Sequence, residues 1–294
     1  MFVVKAILTA ILVIILGLLY GGIARKVIAR VHRRYGPPFY QNFIDVLKLF
    51  SKRLPTSHGV MFELGPVMAF GGMLVSLMFL PVGRGNPLFT FEGDLFVLLY
   101  LIVVAPLGLA LGAGQASNPN ATIGIARGLT LMIGYEFVFF VSVLPIIKDM
   151  HTVNLFRIAM AQSGSLSSLN AVRYPFSFAA ALISMHAMLG EKPFDQTVAP
   201  HEIASGPMVE YGGKFLGLLQ LYHAIAIIVE TGLVVTFFLG GFSMPVFFLL
   251  TFVLFIMAVI VNTVMPRFRI FQAVQFFFLL PLVLAVINII INAG

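Results

Sequence analysis

Cysteine is absent from all 294 positions, so the chain forms no disulfide and holds no iron–sulfur cluster through thiolates. Any redox centre must therefore belong to a partner. Charge is scarce as well. Asp, Glu, Lys and Arg together make up 10% of the chain, against about 25% in soluble domains, and the mean hydropathy is +1.04. A soluble domain is excluded. Enzyme signatures are also missing, with no glycine-rich phosphate loop and no nucleophile motif. The six histidines, at 32, 58, 151, 186, 201 and 223, are scattered, and no spacing converges the three or four ligands a metal needs. No internal repeat is visible, which argues against the paired halves common in secondary transporters.

What the chain has in abundance is apolar surface, with 60% hydrophobic residues and 30 phenylalanines. It comes in continuous runs of about 20 residues, the length that crosses the hydrocarbon core as a helix. An outer-membrane barrel would instead show alternating segments of about ten residues. The expected fold is an all-α integral membrane protein, one polytopic domain over 1–294. Eight spans are predicted, near 2–24, 64–83, 95–113, 121–147, 174–190, 214–239, 244–265 and 270–291. The first carries Lys5 and ends at Tyr20-Gly21-Gly22 followed by charge, which reads as a retained span, not a signal peptide.

The formal charge of +7 resides mostly in loops between spans. It serves topology and lipid headgroups, and nucleic acid is not an expected partner. Arg25, Lys26, Arg30, Arg33, Arg34, Lys48, Lys52, Arg53, Lys192, Lys214, Arg267 and Arg269 fall on one side; Lys5, Arg84, Lys148, Arg157 and Arg173 fall on the other. The positive-inside rule makes the first side cytoplasmic, with both termini outside and the protein multi-pass in the cell membrane. Cytoplasmic loops then cover 25–63 and 191–213. In the first, Tyr35-Gly36-Pro37-Pro38 breaks the helix. Phe39, Phe43, Val46, Leu47 and Phe50 then recur at helical spacing beside Asp45, Lys48 and Lys52, predicting an amphipathic helix in the interface. A weaker helix is predicted at 151–162 on the outer side, with no chemical role.

Eleven acidic residues are present, and four of them, Glu191, Asp195, Glu202 and Glu210, lie in one segment. Pro193, Pro200 and Pro207 make a continuous helix there improbable and predict a broken, re-entrant loop whose acids line a wet cavity; a merely solvated loop is the other reading. Glu136 and Glu230 sit inside apolar runs, where ionisable groups default to a functional reading. Arg127 lies nine residues before Glu136, about 900° of helical turn, so the two occupy opposite faces and do not pair. Glu136 then needs water, another helix or a proton. His223 and Glu230, seven apart, share a face about 10 Å from each other, either as a relay or as separately satisfied groups.

Three stretches together resemble a known family. They are Arg25-Lys26-x-x-Ala29-Arg30-x-x-Arg33-Arg34-x-Gly36-Pro37-Pro38 with Asp45-x-x-Lys48-Leu49, Ser117-Asn118-Pro119 before Tyr135-Glu136, and Glu191-x-Pro193-Phe194-Asp195 with Glu202-x-x-x-Gly206 and Glu210-Tyr211. Over nearly its whole length the chain resembles the first membrane subunit of complex I, the NADH–quinone oxidoreductase, and its counterparts in energy-converting, membrane-bound [NiFe] hydrogenases. The resemblance implies eight transmembrane helices, loops facing a peripheral redox arm, and a carboxylate path toward antiporter-like pump subunits. It matches Glu136, Asp195, Glu202 and Glu210 to the family's functional acids, and Arg25, Arg30, Arg33 and Arg34 to its docking loop. Asp45 and Lys48 join the docking set; Glu191, His223 and Glu230 join the expected proton path.

The implied partners are [NiFe]-hydrogenase-like large and small subunits, an iron–sulfur subunit and antiporter-like membrane subunits. Iron–sulfur clusters, and in the hydrogenase-like branch a [NiFe] centre, would belong to those partners, with no cofactor and no catalytic residue in this chain. Quinone-using members commonly carry Leu-Pro-Glu-Ala-Glu-Ser-Glu where this chain has Gln196-Thr197-Val198-Ala199-Pro200-His201-Glu202, so two acids are replaced and the third is kept. Lys52-Arg53 replaces a quinone-type Lys-Glu, and Pro38 follows Gly-Pro as in the hydrogenase-like branch. The expected role is a non-catalytic coupling subunit of a hydrogenase or sulfur-reducing complex pumping protons or sodium. A quinone-binding subunit and a stand-alone transporter are the alternatives.

Overall fold

The computed structural model describes residues 2–53, 58–116, 118–162 and 166–292. Thirteen α-helices and no strand occur among the described residues: α1 Phe2–Val31, α2 Gln41–Ser51, α3 Val60–Phe79, α4 Asp94–Gly114, α5 Pro119–Met150, α6 Leu155–Ala161, α7 Asn170–Arg173, α8 Pro175–Met188, α9 Pro200–Ile203, α10 Gly213–Val234, α11 Met244–Val264, α12 Ile270–Leu279 and α13 Pro281–Ile291. Seven stretches among them are long and apolar enough to cross a membrane: α1, α3, α4, α5, α10 continued to Leu239, α11, and α12 with α13. The protein is an all-α, multi-pass membrane protein.

Two predicted elements need correction. The span expected at 174–190 is α8, within two residues of those bounds but 14 residues long, about 21 Å at 1.5 Å per residue, so it reaches across a hydrocarbon core of about 30 Å only together with its flanking residues. Proline starts it and Gly190 in the left-handed region (φ 67°) turns the chain away just after its end, the usual asymmetry of helix termini. In contrast, α1 continues seven residues past the predicted 24. Arg25, Lys26 and Arg30 therefore ride on its last two turns, where cations favour the carbonyl end of the helix dipole.

The predicted amphipathic helix is α2. Val46 is buried and shares a cluster with Leu18 of α1 and Ala224 of α10, with Phe43 packed against it, while Leu47 turns outward and is 72% exposed. Among the spans α10 is the most enclosed, and residues 224–238 along it and its π-helical continuation are buried without a break. That central position fixes where Glu230 lies. The predicted 151–162 helix is shorter, α6. Asn154 caps it by accepting from the Arg157 amide at 3.0 Å, and Asp94 accepts from the Leu155 amide at 2.8 Å.

Candidate functional site

The segment from Gly190 to Gly212 is broken, as its prolines require. Pro200–Ile203 makes one helical turn, after which Ala204, Ser205 and Gly206 all take positive φ (50°, 76° and 53°), a run no right-handed helix can accommodate. A side chain at Gly206 would meet the Thr197 carbonyl oxygen at 2.2 Å, so this turn needs glycine. The far end is pinned by Tyr211, whose ring stacks on Phe62 with centroids 4.5 Å apart. Its hydroxyl enters a slot between α3 and α4 that exists because Gly65 and Gly112 lack side chains; a Cβ at Gly112 would lie 2.3 Å from that oxygen. Burial pushes the Tyr211 phenol up from its ordinary range.

Two of the four loop acids are claimed by arginines distant in sequence. Arg267, on the connection between α11 and α12, reaches Asp195 at 2.6 Å and Glu202 at 3.2 Å. Arg127, near the start of α5, reaches the other oxygen of Glu202 at 2.8 Å. Arg127 therefore does not pair with Glu136, as its helical phase predicts, and its partner is Glu202. Hydrogen bonds from both guanidinium groups hold the Glu202 carboxyl below its usual range. Arg267 is nearly enclosed, its side chain 10% exposed, and its Nε has no hydrogen-bond partner.

A cavity of about 160 Å³ brings together Glu136, Asp195, His223 and Glu230, together with Tyr135, Tyr222 and Gln196. His223 and Glu230 thus face one space, as their seven-residue spacing predicts. Glu136 and Glu230 accept no hydrogen bond and enter no ion pair among the described residues. Glu136 also borders an apolar cavity of about 460 Å³ lined by Phe96, Tyr100, Phe140 and Met188. At the other end, Val198, Met208 and His223 are shared with a third cavity, about 340 Å³, between α1, α2 and α10. The three spaces form a series running from α2 to the α4–α5 face, with His223 and Glu136 at the two junctions.

Of the four loop acids only Asp195 lines the central cavity; Glu191, Glu202 and Glu210 do not, in contrast to the expectation that the loop acids line one wet space. Glu202 is turned to the two arginines, and its side chain is 49% exposed. Glu210 accepts from Asn118 Nδ2 at 2.7 Å and lies 3.3 Å from His58 Nε2. Glu191 stands apart from these pairs; burial, and then the neighbouring Asp195, push its carboxyl up to about 7.

In the predicted docking set, Arg25 binds Asp45 at 2.8 Å and Asn42 at 2.8 Å, so this pair fastens α1 to α2. Arg30 lies over the Tyr35 ring at 5.0 Å, and Arg30, Arg33, Arg34 and Lys48 are exposed. Residues 54–57 of the predicted 25–63 loop, and Ser117 of the Ser117-Asn118-Pro119 motif, lie outside the described residues.

Three participants were not singled out as site residues from the sequence: Arg127, Arg267 and Asn118. Asn118 Oδ1 accepts from the Asn120 amide at 2.9 Å and caps α5 while its Nδ2 donates to Glu210. Its position before a helix-starting proline signals the cap; nothing local signals the second bond. Among the described residues no three His, Asp or Glu side chains are placed to hold a metal ion.

The profile of the NADH dehydrogenase family matches residues 4–293. Hydrogenase-4 component C of Escherichia coli (strain K12) is 33% identical over 81% of this chain and 75% of its own length. A subunit of the F(420)H(2) dehydrogenase of Methanosarcina mazei is 29% identical over 95% of this chain and 90% of its own. A chain in the structure of the membrane-bound sulfane sulfur reductase, an archaeal respiratory membrane complex, superposes with a TM-score of 0.94 at 34% identity and covers 99% of both chains.

Proposed function

Because the chain belongs to the NADH dehydrogenase family, we propose that it couples electron transfer in a peripheral redox arm to proton or sodium translocation by neighbouring membrane subunits. Its relatives are membrane subunits of hydrogenase-like and sulfur-reducing complexes, and the role of a complex-I-like membrane anchor follows from that kinship. The observation that carries the coupling reading is the cavity shared by Glu136, Asp195, His223 and Glu230. Unpaired carboxylates within membrane helices are costly and mark functional sites, and these face a common space. In this reading the residues 1–294 form one domain, and Glu191, Asp195, Glu202 and Glu210 mark the entry from the redox arm. Segments 25–63 and 191–213 face the cytoplasm, with Arg25, Arg30, Arg33, Arg34, Asp45 and Lys48 near the docking surface and both termini outside. Large, small and iron–sulfur subunits of hydrogenase type would dock there, bringing the clusters and any [NiFe] centre, while antiporter-like subunits pack within the membrane.

Glu136→Gln keeps the shape and removes titration. The expected outcome in the assembled complex is retained electron transfer with ion-gradient formation reduced about a hundredfold, the lower end of what a positioned proton-transfer group contributes. Normal assembly with a wild-type ion-to-electron ratio would remove Glu136 from the path. A second reading, quinone binding, draws on the 340 Å³ apolar cavity that His223 and Asn42 border. The replacement of two quinone-type acids by Val198 and Pro200 counts against it, and inhibitor-sensitive reduction of a quinone analogue would restore it.

A further inference from the structure

A further cavity of about 300 Å³ lies between α8, α11, α12 and the segment after α8; no acid lines it, Phe194 divides it from the central cavity, and Ile183, Leu254, Ala258 and Phe276 are also on its wall. α8 lines it through Leu182, Ile183, Met185 and His186, and beyond the turn at Gly190 the chain adds Pro193 and Phe194. The one ionisable side chain on the wall is His186, which is buried, with Nε2 engaged by the Lys192 carbonyl at 2.7 Å. Ordered water needs two to four polar partners, and this lining offers almost none. Hydrocarbon suits it.

The way in is lateral. Met257, Val261 and Met265 line the cavity and are 54%, 39% and 49% exposed, on one side of a membrane-crossing helix. Methionine is unbranched and adapts to a mobile chain. Two cations adjoin the lining along the chain. Lys192 precedes the lining residue Pro193, and its amide donates to Asn262 of α11 at 3.3 Å; Arg269 follows the lining residue Phe268 and is exposed. Neither side chain enters an ion pair among the described residues.

We propose that this cavity binds an acyl chain of one anionic phospholipid, whose headgroup phosphate is held by Lys192 and Arg269. Hydrocarbon fills the recess between α8 and α11, and the two cations select the headgroup. The site would fix the end of α8, and with it the start of the Glu191–Asp195 segment, without taking part in ion transfer.

The test uses the complex purified with its partner subunits, stripped of lipid by detergent, and supplied with phosphatidylglycerol or phosphatidylcholine while native mass spectrometry counts what is retained. Ala258→Phe fills the cavity and should lose one retained phosphatidylglycerol per complex. The double variant Lys192→Gln, Arg269→Gln should still hold lipid, with its preference for phosphatidylglycerol reduced by about fivefold per cation removed. A photoreactive side chain at position 257 should crosslink to lipid. The proposal is overturned if the double variant keeps the wild-type preference, a readout that stands even if Ala258→Phe does not assemble. Equal retention of both lipids by Ala258→Phe and wild type, or crosslinking at 257 to a polypeptide, would also overturn it.

Discussion

Asp195 and Glu202 lie against the guanidinium groups of Arg267 and Arg127, whereas Glu136 and Glu230 face the central cavity with no ion pair among the described residues. The first pair sits where chain segments cross. α5, the 191–212 loop and the α11–α12 connection meet there, and the ion pairs hold them in one arrangement. The second pair lies within the spans, on α5 and on the most enclosed helix, α10. In the proposed path, the acids with fixed partners position structure and those without them are the ones that exchange protons. Asp195 belongs to both settings, since it binds Arg267 and also lines the cavity. That makes the arginine cluster the mechanical link between the loop and the proposed path.

The largest effect is expected at Arg267. With the Arg267 and Asp195 side chains only 10% and 14% exposed, Arg267→Gln leaves the enclosed Asp195 carboxylate without a counter-charge and with only the Ala199 amide donating to it at 3.2 Å, a loss of about 3 kcal/mol. Thermal unfolding or assembly of the complex reads this directly. A change under about 1 kcal/mol would place the pair with screened surface ion pairs and dissolve the distinction between the two sets.

Glu191 sharpens the comparison because it is enclosed yet outside the quartet. Its carboxyl is raised from 4.5 to about 7, so the folded state holds a proton that the unfolded chain releases. The stabilisation is complete below about 4.5 and is lost as pH rises toward 7. Between about pH 6 and about pH 7 the wild type should lose about 1 kcal/mol from this group, and Glu191→Gln should flatten that slope. An unchanged slope in melting curves would show that Glu191 is solvated in the working protein.

Arg127 should matter least. It meets Glu202 where that side chain is 49% exposed, and exposed pairs contribute about 0.2–1 kcal/mol. Arg127→Gln should shift unfolding by no more than that, while Arg267 retains both acids. A loss comparable to that of Arg267→Gln would mean that the four groups act as one unit, which the double variant would reveal as strong non-additivity.

Local features of the chain were legible in its sequence. Apolar runs marked the spans, Pro37 and Pro38 marked the break before α2, and three prolines marked 191–211 as discontinuous. The seven-residue spacing of His223 and Glu230 placed them on one face because a helix has a fixed period. The phase between Arg127 and Glu136 likewise ruled out a pair. The extent of α8 was legible to within two residues, whereas the seven residues by which α1 outruns its apolar stretch were not, because charged residues can continue a helix beyond the membrane. Nor was the fate of the docking residues legible, since Arg25 and Asp45 look like free surface charges until α2 folds back against α1 and pairs them.

An all-α membrane protein, a proline-broken acidic segment, the absence of thiolate ligands and the family resemblance are all written in the order of the residues. All of these depend on composition or on spacing along one helix. Only the tertiary structure decided which acids are claimed by cations and which are left facing a cavity. Arg267 is 72 residues from Asp195 and Asn118 is 92 from Glu210. One guanidinium can satisfy any carboxylate the fold brings within reach, so short-range pattern carries no information about the choice. Packing of α5, α10 and the α11–α12 connection makes it, by fixing which side chains come within reach of one another.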